Sequence, residues 1–244
     1  MAALNMDQVI DTVARWIEAK ASRYICAADV HSIMRARDDP LHRKALRHAA
    51  MILPDGMPVV WLSRLRGERQ IERVCGPDLM LRLLEHSAKM GWRHYFYGGS
   101  QGVADELARR ARALYPGLLI VGVDCPPFRE LSEQEATAAV DRINETAPDI
   151  LWVGLGCPKQ EIWMLQNIGK LNNLIAIGVG AAFDFHSGRL KRAPAWMRSN
   201  GLEWLYRLLS EPRRLWWRYL YLAPRFVFLS LLDLRLPRSL GRQP

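Results

Sequence analysis

Residues 149–161 combine the residue types and spacing that best suit chemistry on a bound ligand. An apolar run long enough for a central strand leads into Gly154 and Gly156, and glycine lets a backbone approach a ligand closely. Pro158 suits a first helical turn, whose free N–H groups favour a phosphate or a sugar hydroxyl. An ordinary strand-to-helix turn would also explain a bare Gly-x-Gly. The side chains that follow favour a ligand site: Lys159, Gln160 and Glu161.

Positive charge is concentrated near the C-terminal end. Residues 189–244 contain 12 Lys and Arg against 3 Asp and Glu, so they hold the whole net charge of +9 and leave residues 1–188 balanced. Aromatic residues lie among these cations: Trp196, Trp204, Tyr206, Trp216, Trp217, Tyr219 and Tyr221. We therefore predict a catalytic core at 1–188 and a basic, aromatic helical appendage at 189–244.

The partner of this appendage should present a layer of phosphates, as an anionic membrane or a nucleic acid does. Charges and a proline interrupt residues 215–236, whereas spanning a bilayer takes roughly 20 nearly unbroken apolar residues. The apolar run 226–232 favours a helix lying on a membrane surface over a nucleic-acid partner. A basic helix pair packed on the core is the simpler alternative.

Strand-like and helix-like patterns alternate through the first 188 residues. The predicted strands are 23–27, 51–53, 94–97, 118–123, 150–153 and 174–179, and the predicted helices are 31–50, 77–90, 102–115, 132–146 and 158–168. This alternation indicates an α/β fold, a Rossmann-like parallel sheet with helices on both faces. Ligands of such sheets bind where strands end. That edge should carry Asp55, Gly98, Gly99, Gly154, Gly156 and Asp184.

The four cysteines are widely separated, without the spacing of a zinc site or a disulfide framework. We expect small buried side chains in a reducing compartment, no metal site and no cofactor. Residues 1–20 suggest an acidic amphipathic helix rather than a secretory leader, so we expect a protein that is not exported.

Several sequence blocks stand out together between about residues 24 and 219: Pro54-Asp55-Gly56, Glu72-Arg73-Val-x-Gly76-x-Asp78, Gly154-Leu-Gly156-x-Pro158-Lys159-Gln160-Glu161, Gly178-Val-Gly-x-x-Phe-Asp184, Arg192-Ala-Pro194, and Gly201-Leu-Glu-Trp-Leu-Tyr-Arg207 followed by Glu211-Pro-Arg-Arg214. In this order they resemble the WecG/TagA/CpsF glycosyltransferase family. The resemblance implies inverting transfer of a sugar from a UDP-sugar to a hydroxyl of a polyprenyl-diphosphate-linked glycan, without a required metal.

This resemblance also implies a biological setting. The enzyme would make a bacterial surface polysaccharide or exopolysaccharide as a peripheral protein on the cytoplasmic face of the plasma membrane, held to anionic lipid through residues 189–244. The donor sugar could be of the N-acetylmannosamine type, the glucose type or a uronic acid. We expect no nucleic-acid partner, and the oligomeric state stays open.

Asp55 is the predicted general base, because a carboxylate after a strand can accept the proton of an attacking hydroxyl. A Pro-Asp-Gly turn also favours aspartate on its own chemistry, and it is the resemblance that favours catalysis. Without an evident metal site, arginines must meet the charge of the leaving diphosphate. The resemblance implies nucleotide, diphosphate and sugar contacts from Arg73, Arg207, Arg214, Arg218, Gln160 and Asp184.

Asp29 departs from the family pattern, in which an asparagine lines the donor-sugar pocket. Aspartate lacks the amide donors and adds a charge, so the sequence does not identify the donor sugar. Asp29 could instead cap a helix. Parts of the sequence also fit two other classes of protein. A nicotinamide oxidoreductase should show Gly-x-Gly-x-x-Gly after the first strand, which this chain lacks. A nucleic-acid-binding or membrane-binding module would use the same basic tail.

Overall fold

One six-stranded sheet forms the centre of the computed structural model, which describes residues 4–235 and side chains as far as residue 232. Its strands are β1 (Arg23–Ala28), β2 (Met51–Pro54), β3 (Arg93–Gly98), β4 (Leu119–Asp124), β5 (Ile150–Gly154) and β6 (Ile175–Gly178). The spatial order is β2-β1-β6-β5-β3-β4, and every neighbouring pair is parallel. The predicted parallel α/β fold is confirmed.

Helices connect and flank the strands within the described residues. They are α1 (Met6–Glu18), α2 (Val30–Asp38), α3 (Pro40–His48), α4 (Met57–Leu65), α5 (Gly76–Met90), α6 (Val103–Leu114), α7 (Glu133–Glu145), α8 (Lys159–Asn167), α9 (Ala182–His186), α10 (Ala195–Ser199), α11 (Glu203–Ser210), α12 (Pro212–Trp217) and α13 (Ala223–Arg235). A π-helical turn, Arg218–Leu222, joins the last two helices.

Alternate side chains along the strands enter two separate apolar clusters, because successive residues of a strand point to opposite faces. Ile150 and Trp152 of β5 pack with residues of α1, α5 and α6. Leu151 and Val153 pack with residues of α3, α7 and α8. The sheet is therefore covered by helices on both faces, and its strand ends remain the edge where polar residues can gather.

Two sequence-based assignments differ from the structure. The helix predicted at 31–50 is two helices, because Asp39 has extended backbone and its carboxylate accepts the N–H groups of Leu41 and His42 at 2.9 and 3.1 Å. Pro40 suits the first turn of the second helix. Helix α4 was not predicted, since its Val59 and Val60 are weak helix formers and its stability depends on their burial.

The C-terminal helices, α10 to α13, pack back onto the core. Leu222 and Phe226 bury their side chains against Met34 of α2. Within residues 4–235, no helix combines the length and the apolar character needed to cross a bilayer. Residues 236–244 of the predicted appendage lie outside the described residues, and the boundary at 188/189 stays a prediction.

Candidate functional site

Two aspartates lie at the carboxyl ends of neighbouring strands. Asp29 follows β1 and Asp55 follows β2, and the Asp55 N–H donates to the carbonyl of Ala28 at 3.1 Å. Burial and, after it, the charge of Asp29 raise the pKa of Asp55, the Arg73 guanidinium partly offsets them, and the resulting pKa is about 6. Such a carboxylate can accept a proton near neutral pH.

Asp29 has two partners. One carboxylate oxygen accepts the N–H of Ser32 at 2.9 Å, which confirms the predicted cap of α2. The other oxygen forms an ion pair with Arg218. Burial opposes ionisation, yet the Arg218 charge and the Ser32 hydrogen bond hold the pKa of Asp29 below its usual value. Asp29 is therefore a fixed anion that anchors the C-terminal helices beside Asp55.

Arg73 is held against the core and the C-terminal helices at once. Its Nε donates to the Asp55 carbonyl at 3.1 Å, and its Nη2 donates to Glu203 at 2.6 Å. The second oxygen of Glu203 accepts from Arg192 at 3.1 Å, and Arg192 also donates to Asp78 at 2.9 Å. Because the Arg73 and Glu203 side chains are only 19% and 12% exposed, this network is a partly desolvated junction.

The three predicted diphosphate arginines differ in position. Arg218 lies at the aspartate pair. Arg214 is 56% exposed and pairs with Glu211 at 3.0 Å, so the structure does not bring it to Asp55 or Asp29 through a direct contact. Arg207 lines a cavity of about 230 Å³ and its guanidinium carbon lies 5.6 Å from the Phe185 ring. At Glu211 the backbone leaves helical geometry and separates α11 from α12, so Arg207 and Arg214 lie on two different helices.

Most of the predicted glycines serve packing between strand ends. A Cβ on Gly98 would lie 2.6 Å from the Gly154 backbone, and the Gly99 N–H already donates to the Gly154 carbonyl at 3.0 Å. A Cβ on Gly154 would lie 2.7 Å from the Phe183 ring. Gly156 differs, because it has φ +77° and open space around it. Of these four, Gly156 alone has room for a ligand at its Cα.

The three polar residues that follow Gly156 lie in different environments. Lys159 is exposed, with its ammonium 4.7 Å from the ring centroid of Phe128. Gln160 and Glu161 are buried, and the Gln160 amide donates to Glu161 at 2.9 Å and accepts the Gly180 N–H at 3.1 Å. The Lys159 side chain is thus separated from the other two, and its contact with a ligand stays a prediction.

Asp184 is part of helix α9 rather than a strand end. Its side chain is 28% exposed and lies 3.9 Å from Arg189. It remains available to a ligand on the side of the sheet where β6 ends.

Three residues that the structure places at or near the site were not singled out from the sequence. Glu203 was counted only as a minority acid in a basic tail, although its place in the Gly201-Leu-Glu block was a usable signal. His42 and Cys157 are far apart in sequence, yet the fold places both beside Glu161 within 4.8 Å. No spacing pattern links these last two, so only the fold reveals them.

Comparison with known proteins adds independent information. The profile of the glycosyl transferase WecG/TagA/CpsF family matches residues 1–240. The chain is 32% identical over 212 residues to an N-acetylglucosaminyldiphosphoundecaprenol N-acetyl-beta-D-mannosaminyltransferase of Bacillus spizizenii, covering 87% of this chain and 80% of that protein. A protein of the same description from Bacillus subtilis is 30% identical over 228 residues, covering 93% and 86%.

Proposed function

The chain belongs to the WecG/TagA/CpsF family and is a glycosyltransferase, and we propose that it moves a sugar from a UDP-sugar to a hydroxyl of a polyprenyl-diphosphate-linked glycan with inversion. The relatives act, by name, on N-acetylglucosaminyldiphosphoundecaprenol and transfer N-acetyl-beta-D-mannosamine. An acceptor of this lipid-diphosphate class and a donor of the N-acetylmannosamine type are therefore the first candidates. A glucose-type or uronic acid donor is the second.

The position and the raised pKa of Asp55 are the main support for this proposal. It follows β2 at the edge of the sheet, and its pKa is raised to about 6. Arg73 donates to its backbone carbonyl, and Arg218 pairs with Asp29 at the end of the neighbouring strand. In the proposed step the Asp55 carboxylate takes the proton of the acceptor hydroxyl while its oxygen bonds to the anomeric carbon. The bond from that carbon to the UDP oxygen breaks on the opposite face. A single displacement of this kind converts an α-linked donor into a β product.

Arginines stabilise the negative charge that develops on the leaving UDP. Arg73 and Arg218 lie next to Asp55, and both are charged at any working pH. Donors fixed in place before the reaction stabilise developing charge without reorganisation. Arg207 adds a cation beside the Phe185 cavity. Gln160 is the proposed sugar contact, and because its buried amide already bonds Glu161 and Gly180, the sugar would meet its remaining N–H. Asp184 is the proposed nucleoside contact.

The setting proposed for this reaction is the cytoplasmic face of the plasma membrane, during synthesis of a surface polysaccharide. Its support is the exposed apolar surface of the C-terminal helices. Trp196, Trp204, Trp216, Trp217, Leu220, Tyr221, Val227, Phe228, Leu231 and Leu232 are 42–66% exposed. Apolar and aromatic side chains mixed with cations suit the headgroup layer of an anionic bilayer, and this apolar content favours lipid over nucleic acid.

Direct transfer assays test the proposal. The full chain would be incubated with a short-chain polyprenyl-diphosphate N-acetylglucosamine and, in separate reactions, UDP-N-acetylmannosamine, UDP-glucose or UDP-glucuronic acid. We expect one donor to give a lipid-linked disaccharide by mass spectrometry, with a β linkage by NMR. An α linkage would refute inversion. No product and no UDP binding with any donor would refute the function.

A further inference from the structure

A buried cluster of three possible metal ligands lies beside Gln160, outside the proposed reaction. His42 comes from α3, Cys157 from the loop after β5, and Glu161 from the first turn of α8. The His42 Nε2 atom lies 3.9 Å from both the Cys157 sulfur and a Glu161 carboxylate oxygen. All three ligand atoms are within 4.8 Å of one another.

Glu161 supplies this cluster with a buried carboxylate oxygen that lacks a hydrogen-bond partner among the described residues. Its side chain is fully buried, and its Oε2 has no hydrogen-bond partner within the described part of the chain. Its Oε1 accepts from the Gln160 amide at 2.9 Å, which fixes the carboxylate and leaves Oε2 turned to His42. A buried, unpaired carboxylate oxygen is costly unless a proton or a cation compensates it.

We propose that His42, Cys157 and Glu161 bind one Zn²⁺ ion. A histidine nitrogen, a thiolate and a carboxylate oxygen form a donor set typical of zinc, with a water in the fourth position. Metal–ligand bonds of about 2.0–2.3 Å place ligand atoms roughly 3.3–3.8 Å apart. The two separations of 3.9 Å need only a small contraction.

To bind here, an ion must reach the three ligands and displace the groups that they hold in its absence. Cys157 is partly exposed while His42 and Glu161 are buried, so an ion would enter past the thiol. Ser32 lies 3.3 Å from the His42 Nε2 and would have to release it to the metal. Burial raises the pKa of Cys157, and a divalent cation reverses that effect by binding the thiolate. Binding therefore releases the thiol proton to solvent.

The occupied site would bear on sugar binding through one residue. Zinc holds Glu161 as an anion, and this anion keeps accepting from the Gln160 amide that also accepts from Gly180. The ion would thus fix the orientation of Gln160. Metal binding itself does not depend on the proposed function, because it is measured without any substrate.

Cobalt substitution tests the site in the full-length chain. Titration with Co²⁺ should give one bound ion per chain, with visible bands of a tetrahedral site and a near-ultraviolet thiolate-to-cobalt band that Zn²⁺ removes. Cys157→Ser should abolish the thiolate band and His42→Gln should weaken binding at least tenfold. Cys125→Ser, which alters a partly buried thiol elsewhere, should leave both unchanged.

Circular dichroism and unfolding midpoints would show that these variants fold as the parent does. Absence of bound Co²⁺ and Zn²⁺ in the folded parent at micromolar metal would overturn the proposal. A thiolate band that survives in Cys157→Ser would also overturn it. A cluster without metal would be a hydrogen-bonded polar group only.

Discussion

Replacing Asp55 by asparagine should separate catalysis from folding. The Arg73 hydrogen bond goes to the Asp55 backbone carbonyl, so it is independent of the side-chain carboxylate, and the Asp55 N–H bond to Ala28 is also preserved. The fold and UDP binding should therefore persist. Loss of a general base typically costs 10² to 10⁴ in rate. At 1.36 kcal/mol per tenfold, this raises the barrier by about 3–5 kcal/mol.

The same variant should be more stable than the parent at neutral pH. Raising an aspartate pKa from 3.8 to about 6 corresponds to roughly 3 kcal/mol that the ionised parent loses. Asp55 is half-buried, so water should reduce this to about 1–2 kcal/mol. The sign follows from a raised folded-state pKa: the parent loses this stability as pH rises from about 4 to 6. The advantage of asparagine should be absent at pH 4 and constant above pH 7.

The assays are transfer kinetics with a lipid-linked acceptor, UDP calorimetry, and urea unfolding at pH 4 to 8. Asp141→Asn on the exposed face of α7 is the matched control and should change none of these. In the parent, kcat/KM should fall below about pH 6 as Asp55 is protonated. Turnover of Asp55→Asn within a few-fold of the parent would remove Asp55 from the mechanism. A stability difference independent of pH would refute the electrostatic reasoning.

Three further predictions follow from the site. Arg218→Ala should lower kcat/KM about 100-fold, because a cation lost from a developing diphosphate charge costs roughly 3 kcal/mol. Arg214→Ala should lower kcat/KM less than Arg218→Ala does. Both variants should still bind anionic liposomes. If the two variants lost activity and liposome binding to the same extent, a role of Arg218 at the diphosphate would be contradicted. Glu203→Gln should lower the free energy of unfolding by about 2–4 kcal/mol, because it leaves the mostly buried Arg73 without its anion. Urea unfolding would show this, and the control Glu106→Gln should change stability far less, because the arginines that pair with Glu106 are exposed. Transfer should need neither magnesium nor manganese, so chelator-treated protein supplied with Zn²⁺ alone should be fully active. Activity that only magnesium or manganese restores would show that one of these metals serves the reaction.

Local sequence determined much of the architecture. The alternation of apolar runs with amphipathic segments was enough to predict six parallel strands. Short apolar runs suit buried strands, and amphipathic segments suit helices that cover a sheet with their apolar face. The end of β2 also placed Asp55 at the ligand-binding edge, since parallel strands bring their carboxyl ends together. Charge counting separated a balanced core from a basic C-terminal segment, although the segment's boundary is still a prediction.

Only the tertiary structure decided which distant residues meet. Arg218 pairs with Asp29, 189 positions away, and Glu203 joins Arg73, 130 positions away. Neither periodicity nor spacing encodes such contacts, because they depend on how the C-terminal helices fold back over two strand ends. Packing also explains why Lys159 and Gln160 diverge. Neighbouring residues on a helix point in different directions, so one faces solvent while the other enters the core.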